Sequence, residues 1–435
     1  MVPGQLRGGP PPSWMSGRVL YESIQTAPNR HISPMKDKDI HPQGRTLSAN
    51  HIRSTRSRRA LPAGAWMIGV LAALSPVATA EDAGDFAKLW DLATLYKDDA
   101  NPILQEFKLR GRYQGQYHIV DGGGDTEDNW EDRRSRFGFD AKLFDKKVEV
   151  RVDFQSNDGF RDIYDGLVDA YVKWKPVDSF AVTVGRAKPQ IGYYDFLQST
   201  NAQPTFERSQ IFNQLSIDRA AGVGLEGEVG DFTWQAGVYS NSIDADRNDF
   251  DQAFGEFNGG WSTTLGAGYD FSKALDVKKA DFRVDWLHSE RDADAGVLNR
   301  YENVISSTFW VQDGLWSAVA EGFYATGGQG TDGDVFGGFL QGTYDVIPKK
   351  LQLVGRYSFA YGDGERSVRR QTRYESFVVD GRGDEYQAFY LGAQYFINGD
   401  KLKFLAGAEY ADLSGGPAGL GYDGVTYLTG IRFSF

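Results

Sequence analysis

The sequence predicts an all-β chain closed as a transmembrane antiparallel β-barrel of about sixteen strands. Three observations predict it. The last segment, Val425–Phe435, alternates strictly: Val425, Tyr427, Thr429, Ile431, Phe433 and Phe435 share one face, and the chain ends on an aromatic. A barrel must close without leaving an edge, so such a strand pairs with the first and seats Phe435 at an aromatic girdle. From Gln105 onward the apolar period is two, and the opposite face is densely charged, as a water-filled interior requires. Short and long connections alternate along the chain, the asymmetry of bacterial outer-membrane barrels.

Composition agrees. The 435 residues include 52 Gly, 22 Tyr, 28 Phe and 10 Trp, and no Cys. Disulfides, iron–sulfur clusters and Cys-type zinc sites are excluded, and five His leave little material for a metal centre. Mean hydropathy is −0.45, the value of a soluble protein or of a barrel in which every second strand residue meets lipid. No apolar run in the body reaches the length of a transmembrane helix.

The N-terminus reads as an export signal. Arg53, Arg56, Arg58 and Arg59 precede an apolar stretch from Leu61 to Val77, and Ala78-Thr79-Ala80 fits a cleavage site. Residues 1–80 are therefore expected to be a leader and signal peptide, removed. Removal takes away ten Lys/Arg and three Asp/Glu and changes the net charge from −12 to −19. That sign argues against nucleic acid as a partner. Residues 81–104 read as a short periplasmic helix and linker, from the stripe of Phe86, Leu89, Trp90, Leu92, Leu95 and Tyr96. Residues 105–435 form the barrel.

The first strand, 105–120, sets Phe107, Leu109, Tyr113, Tyr117 and Ile119 against Lys108, Arg110, Arg112, Gln114, Gln116 and His118. The second, 131–144, sets Phe137, Phe139, Ala141 and Leu143 against Arg134, Arg136, Asp140 and Lys142. The third sets Val148, Val150, Val152 and Phe154 against Glu149, Arg151 and Asp153. Twelve further segments follow at 166–176, 179–187, 217–229, 232–241, 261–271, 279–288, 303–312, 314–326, 333–345, 350–361, 385–397 and 400–411, before the last strand. Segments 303–312 and 333–345 alternate poorly. Tight hairpins are expected at Phe144–Lys147, Pro176–Asp178, Gly230-Asp231, Gln312–Gly314 and Ile397–Asp400. Long loops are expected at 121–130, 157–165, 188–216, 242–260, 289–302, 327–332, 362–384 and 412–422. The longest is the third, 188–216. Side chains cannot fill a sixteen-stranded lumen, so this loop is expected to fold into the pore.

By parity Arg110, Arg112, Arg134, Arg136, Arg151, Lys173, Arg283, Arg356, Lys403 and Arg432 point inward. Guanidinium groups bind oxyanions through charge-assisted, often bidentate hydrogen bonds. The same side chains can instead pair with Asp140, Glu149, Asp153, Asp169, Glu226 and Asp285 and balance the wall. A second cluster lies in the third-loop region, where Arg186, Lys188, Arg208 and Arg219 mix with Tyr193, Tyr194, Phe196 and Phe206, a combination suited to an anion or a sugar. Arg366, Arg369, Arg370 and Arg373 make a basic run in the seventh loop that suits anions at the mouth, lipopolysaccharide phosphates, or plain solvation. His118 and His288 read as girdle or lumen residues, since no G-x-S-x-G, H-E-x-x-H or P-loop accompanies them.

Three stretches resemble the phosphate-selective porin O and P family: Arg133–Lys142; Asp169–Pro176 followed by Val184–Pro189; and Phe206–Ser209 followed by Asp218–Leu225. The likeness is good over 105–240 and looser beyond. It implies an integral outer-membrane porin, homotrimeric, with its third loop in the pore. It also implies a pore role for Arg186, Lys188, Arg208 and Arg219, which fall in the matching motifs. The chain departs from a phosphate specialist in lacking an obvious strand lysine cluster and in its many acids. The expectation is thus a passive channel with no cofactor, metal or chemistry. Its partners would be small anions such as phosphate, or other small hydrophilic solutes, together with outer-membrane lipid and lipopolysaccharide. A general or sugar-passing porin is the alternative, and a barrel adhesin or enzyme the more distant one.

Overall fold

The computed structural model describes residues 88–156, 160, 162–240, 260–290, 300–328, 330–371 and 373–435. The expected leader and signal peptide, residues 81–87, and most of the loops expected at 242–260 and 289–302 lie outside the described residues.

The chain forms a closed antiparallel barrel of sixteen strands. In order these are β2 (Leu104–Gly122), β3 (Asp125–Leu143), β4 (Val148–Ser156), β5 (Gly166–Val177), β6 (Phe180–Ala187), β7 (Ala220–Val229), β8 (Phe232–Ser240), β9 (Trp261–Asp270), β10 (Lys279–Ser289), β11 (Tyr301–Asp313), β12 (Trp316–Gly328), β13 (Val335–Ile347), β14 (Leu351–Gly362), β17 (Glu385–Asn398), β18 (Leu402–Ser414) and β19 (Tyr422–Ser434). Each pairs with the next, and β19 closes on β2 from Gly424↔Gly122 to Ser434↔Arg112. Three short strands complete the set: β1 (Thr94–Lys97) before the barrel, and β15 (Val368–Arg369) and β16 (Arg382–Gly383), which pair with each other in the connection after β14.

Polarity is inverted relative to a soluble domain. Along β13 and β17, Phe336, Leu340, Phe389 and Leu391 are exposed, Leu391 by 70%. On the opposite face lie buried Gln341, Arg356, Gln394, Lys403, Glu409 and Arg432. Period two thus sends apolar residues outward to lipid and polar ones inward.

Three local features depart from the sequence reading. Residues 121–130 are strand, not loop. Gly123 and Gly124 have φ of +63° and +85°, so a two-residue turn joins β2 to β3 and both strands run through the acidic stretch. Within β3 the register passes from Gln114↔Arg134 to Gly115↔Asp132, so Arg133 is an extra residue, a β-bulge that reverses parity above it. At the N-terminus, residues 88–91 make a single helical turn. β1 then pairs with β2 at Thr94↔Lys108, covering an edge that β19 does not reach. Phe435 exchanges backbone hydrogen bonds with Gly111 beside it, and the Trp90 indole donates to the Ser434 carbonyl at 2.6 Å.

The poorly alternating strands have an inward reason. Val304 of β11, Phe323 of β12 and Val335 of β13 face inward yet are apolar and fully buried. They pack with Ile191, Phe196, Phe206, Phe212 and Leu215, all from the 188–219 connection. Within it a short helix, α1 (Gln210–Leu215), is capped by Ser209, whose hydroxyl accepts the Phe212 N–H. The Phe212 ring lies 5.0 Å from Phe196 and 5.8 Å from Phe323.

Candidate functional site

Register places the inward cations side by side. Arg110 and Arg112 sit two residues apart on β2, and Arg112 lies directly opposite Arg136 of β3. Arg151 of β4 lies opposite Asp140. Lys188, Arg208 and Arg219 come from the connection after β6.

Their partners divide them into two groups. Arg110 pairs with Asp140 at 2.7 Å and Asp153 at 3.0 Å, and Arg151 with Asp140 at 2.7 Å and Glu149 at 3.1 Å. Arg219 holds Asp169 at 2.7 Å, and Lys173 holds Glu226. These are the balanced pairs weighed from the sequence. The second group has no ion pair among the described residues. Arg112 meets the Thr200 hydroxyl at 3.1 Å, Arg134 the Gln114 amide oxygen at 2.8 Å, and Arg136 that of Gln155 at 2.9 Å. Lys188 donates to the Phe196 and Gln198 carbonyls and lies 5.0 Å from the Phe196 ring. Arg208 donates to the Asp195 carbonyl at 2.9 Å and stacks over Phe196 and Phe212. Burial, then Arg208 and Arg219, hold the Lys188 ammonium well below the ordinary lysine pKa. Burial likewise pushes Arg208 down to about 10.

A cavity of about 460 Å³ lies among these groups. Of the residues singled out from sequence, Arg110, Arg112, Arg151, Lys188 and Arg219 line it, as do Lys173 and Arg283. Asp169 and Glu226 are the carboxylates in its lining. Arg134, Arg136, Arg186 and Arg208 do not line it. Arg186 is 3% exposed and donates to the Leu167 carbonyl.

Three other inward cations serve the connection instead. Arg432 donates to the carbonyls of Thr200, Gln203, Thr205 and Phe206 at 2.6–3.0 Å. Arg356 reaches the Glu207 carbonyl at 2.8 Å and pairs with Glu409 at 3.0 Å. Lys403 reaches the Gln203 carbonyl at 3.4 Å and Asp400 at 2.8 Å. Opposite in charge, Glu321 of β12 accepts the backbone N–H groups of Tyr194 and Asp195 at 3.0 and 2.8 Å. Parity identified these cations as inward, but each is already engaged by carbonyls of the connection or by a carboxylate.

Of the basic run in the seventh loop, Arg369, Arg370 and Arg373 are also engaged. Arg369 and Arg382 hold buried Asp332 at 2.9 and 2.6 Å, Arg370 pairs with Asp380, and Arg373 with Glu131. His118 is fully buried beside the rings of Tyr374 and Phe377, and His288 meets the Asn303 amide oxygen at 3.0 Å. The sequence reading missed Arg133, which clasps Glu207 through two guanidinium nitrogens. Burial opposes the Glu207 carboxylate, but Arg133 outweighs it and holds the pKa far below the usual carboxylate range. It missed also Gln190, Gln235 and Tyr239 in the cavity wall. Nothing in a period-two pattern marks a bulge or an uncharged polar lining residue.

The model of a family described as phosphate-selective porin O and P matches residues 107–412. Among solved structures, the chain is similar to Salmonella typhi OmpF in complex with daunomycin: 13% identity over 79% of this chain and 100% of that one, TM-score 0.55. It is similar to Pseudomonas putida OprB in a high-pH structure, with 12% identity, 76% and 94% coverage and a TM-score of 0.53. An anion-selective porin from Comamonas acidovorans matches at 13% identity, 76% and 99% coverage and a TM-score of 0.51. At these identities the likeness is one of fold. No curated protein matches the chain by sequence.

Proposed function

This chain belongs to the phosphate-selective porin O and P family, and from that premise we propose that its channel prefers anions, oxyanions such as phosphate among them. It is an integral outer-membrane porin. The preference is supported by one observation above all: Arg112, Arg134, Arg136, Lys188 and Arg208 gather without carboxylate partners, and Arg112 and Lys188 reach the cavity. A surplus of fixed positive charge lowers the barrier for an anion. The neutral acceptors on these groups can be exchanged for solute without breaking an ion pair. The 188–219 connection, pinned by Arg432 and Glu321, narrows the lumen in this reading and presents Lys188 to the passing solute.

Single-channel recording in a planar bilayer with a KCl gradient tests this. We expect a reversal potential of anion-preferring sign and a current reduced by added phosphate. Arg112→Gln should lower the anion-to-cation permeability ratio two- to fivefold. A cation-preferring reversal potential would reject the proposal and leave an unselective or sugar-passing porin. A homotrimer belongs to the same proposal. A single-subunit mass for unheated protein in detergent would count against it.

A further inference from the structure

The barrel wall has a seam at its periplasmic end. β19 pairs with β2 only down to Ser434↔Arg112, with Phe435 reaching Gly111, while β2 itself continues to Leu104. An open strand edge is not tolerated against lipid. Residues 90–97 take the missing place. The Ala93 carbonyl accepts the Leu109 N–H at 2.7 Å, and β1 sets Tyr96 opposite Phe107. Arg110 lines the cavity, so Phe107, three residues before it on the strand, faces outward. Its ring stacks on Phe139 at 5.4 Å. Arg432 is inward and buried, so Phe433 beside it faces outward too. The Trp90 ring lies 5.9 Å from that of Phe433, and its indole donates to the Ser434 carbonyl. The segment therefore runs along the outer side of the wall.

Two leucines flank Trp90 in sequence. Leu89 is 56% and Leu92 73% exposed, whereas Trp90 itself is buried. Through Trp90 this apolar patch is continuous with the lipid-facing wall at Phe433 and Phe435, whose rings lie 5.7 Å apart. Trp90 and Tyr96 also join Phe107, Phe433 and Phe435 in one aromatic group, and Trp and Tyr are the residues that gather at a membrane–water interface. Asp91, exposed beside them, sets the depth at the headgroups rather than the middle of the hydrocarbon. We infer that residues 89–97 form a membrane-seated arm, which finishes the wall at the seam and turns Leu89 and Leu92 to the acyl chains of the periplasmic leaflet. Its partner is lipid, not the periplasm that the sequence alone suggested for this stretch.

The chain has no cysteine, so a single introduced thiol carries a fluorophore at one place only. Leu92→Cys tests the arm in the full-length protein in phospholipid vesicles. Leu391→Cys, on the outer wall, is the lipid reference, and Lys147→Cys, in the exposed turn after β3, is the water reference. Two quenchers are compared: lipids bearing a nitroxide on the acyl chain, and iodide on both sides of the bilayer. We expect nitroxide lipid to quench the label on Leu92→Cys at least about threefold more than that on Lys147→Cys, and iodide to quench it less, as for a group seated below the headgroups. Quenching that follows Lys147→Cys overturns the inference and returns the segment to water. Protection from both quenchers also overturns it, since protein, such as a second copy of the chain, would then cover the patch. Adding Trp90→Ala should cut the lipid quenching at Leu92→Cys by about half or more, because the ring contact that seats the arm is gone. Unchanged quenching there overturns Trp90 as the anchor.

Discussion

Arg133 and Lys188 show how much depends on where a single cation finds its partner. Arg133→Met leaves the Glu207 carboxylate, 4% exposed, without its guanidinium. Breaking such a pair costs about 3–5 kcal/mol, read as a lower unfolding midpoint in detergent. Because the folded Glu207 pKa is depressed, the stability it contributes is present above its unfolded pKa and is lost as pH falls through the folded value. The gap between the two proteins should therefore be full above the ordinary glutamate range and narrow progressively as pH falls below it. Lys188 has the opposite handle. Its folded pKa is lowered, so its charge is lost on raising pH before that of an ordinary lysine. Anion preference should decline with rising pH in the wild type, and Lys188→Met should remove that decline in reversal-potential titrations. Parity in the sequence was enough to place Arg110, Arg112, Arg134, Arg136 and Arg151 on the inner wall. It carried no information on pairing, so it could not separate Arg112, which meets a hydroxyl, from Arg432, which is filled by four carbonyls.

The sixteen strands were legible because each needs only a period of two, and lipid demands that period on every strand. Ends of strands were less so. The acidic residues of 121–130 look like loop, yet Gly123 and Gly124 at positive φ keep them paired. Strands β11 and β13 alternate poorly for a different reason: their inward Val304 and Val335 answer to the packing of the 188–219 connection, a contact the local pattern does not encode. That connection is itself an element whose stability can be probed. Arg432→Met deprives the Thr200, Gln203, Thr205 and Phe206 carbonyls of a shared donor. Each unsatisfied buried carbonyl costs about 1–3 kcal/mol, so the segment should loosen. Larger open-channel conductance and added current noise are the expected signature. An unaltered trace would mean that Arg356, Lys403 and Glu321 hold the segment without it.

For the whole barrel, the formal charge and the local charge disagree in sign. The chain is net negative, −12 over its full length, whereas the cavity wall carries a cationic surplus. Selectivity should follow the wall, since fixed charges act over about 10 Å at 0.1 M salt and about 3 Å at 1 M. The anion-to-cation permeability ratio should therefore fall steadily between those concentrations, and a ratio indifferent to salt would point to size exclusion instead. The outward–inward reversal of polarity has a further consequence, for how the chain tolerates change. In a water-soluble domain the exterior accepts almost any hydrophilic replacement and the interior resists. Here Leu340, Phe389 and Leu391 face a fluid solvent with no shape to match, so one greasy residue should serve there as well as another. Positions such as Glu321 and Arg432 answer to named partners at fixed distances, and their alphabet should shrink to a single letter.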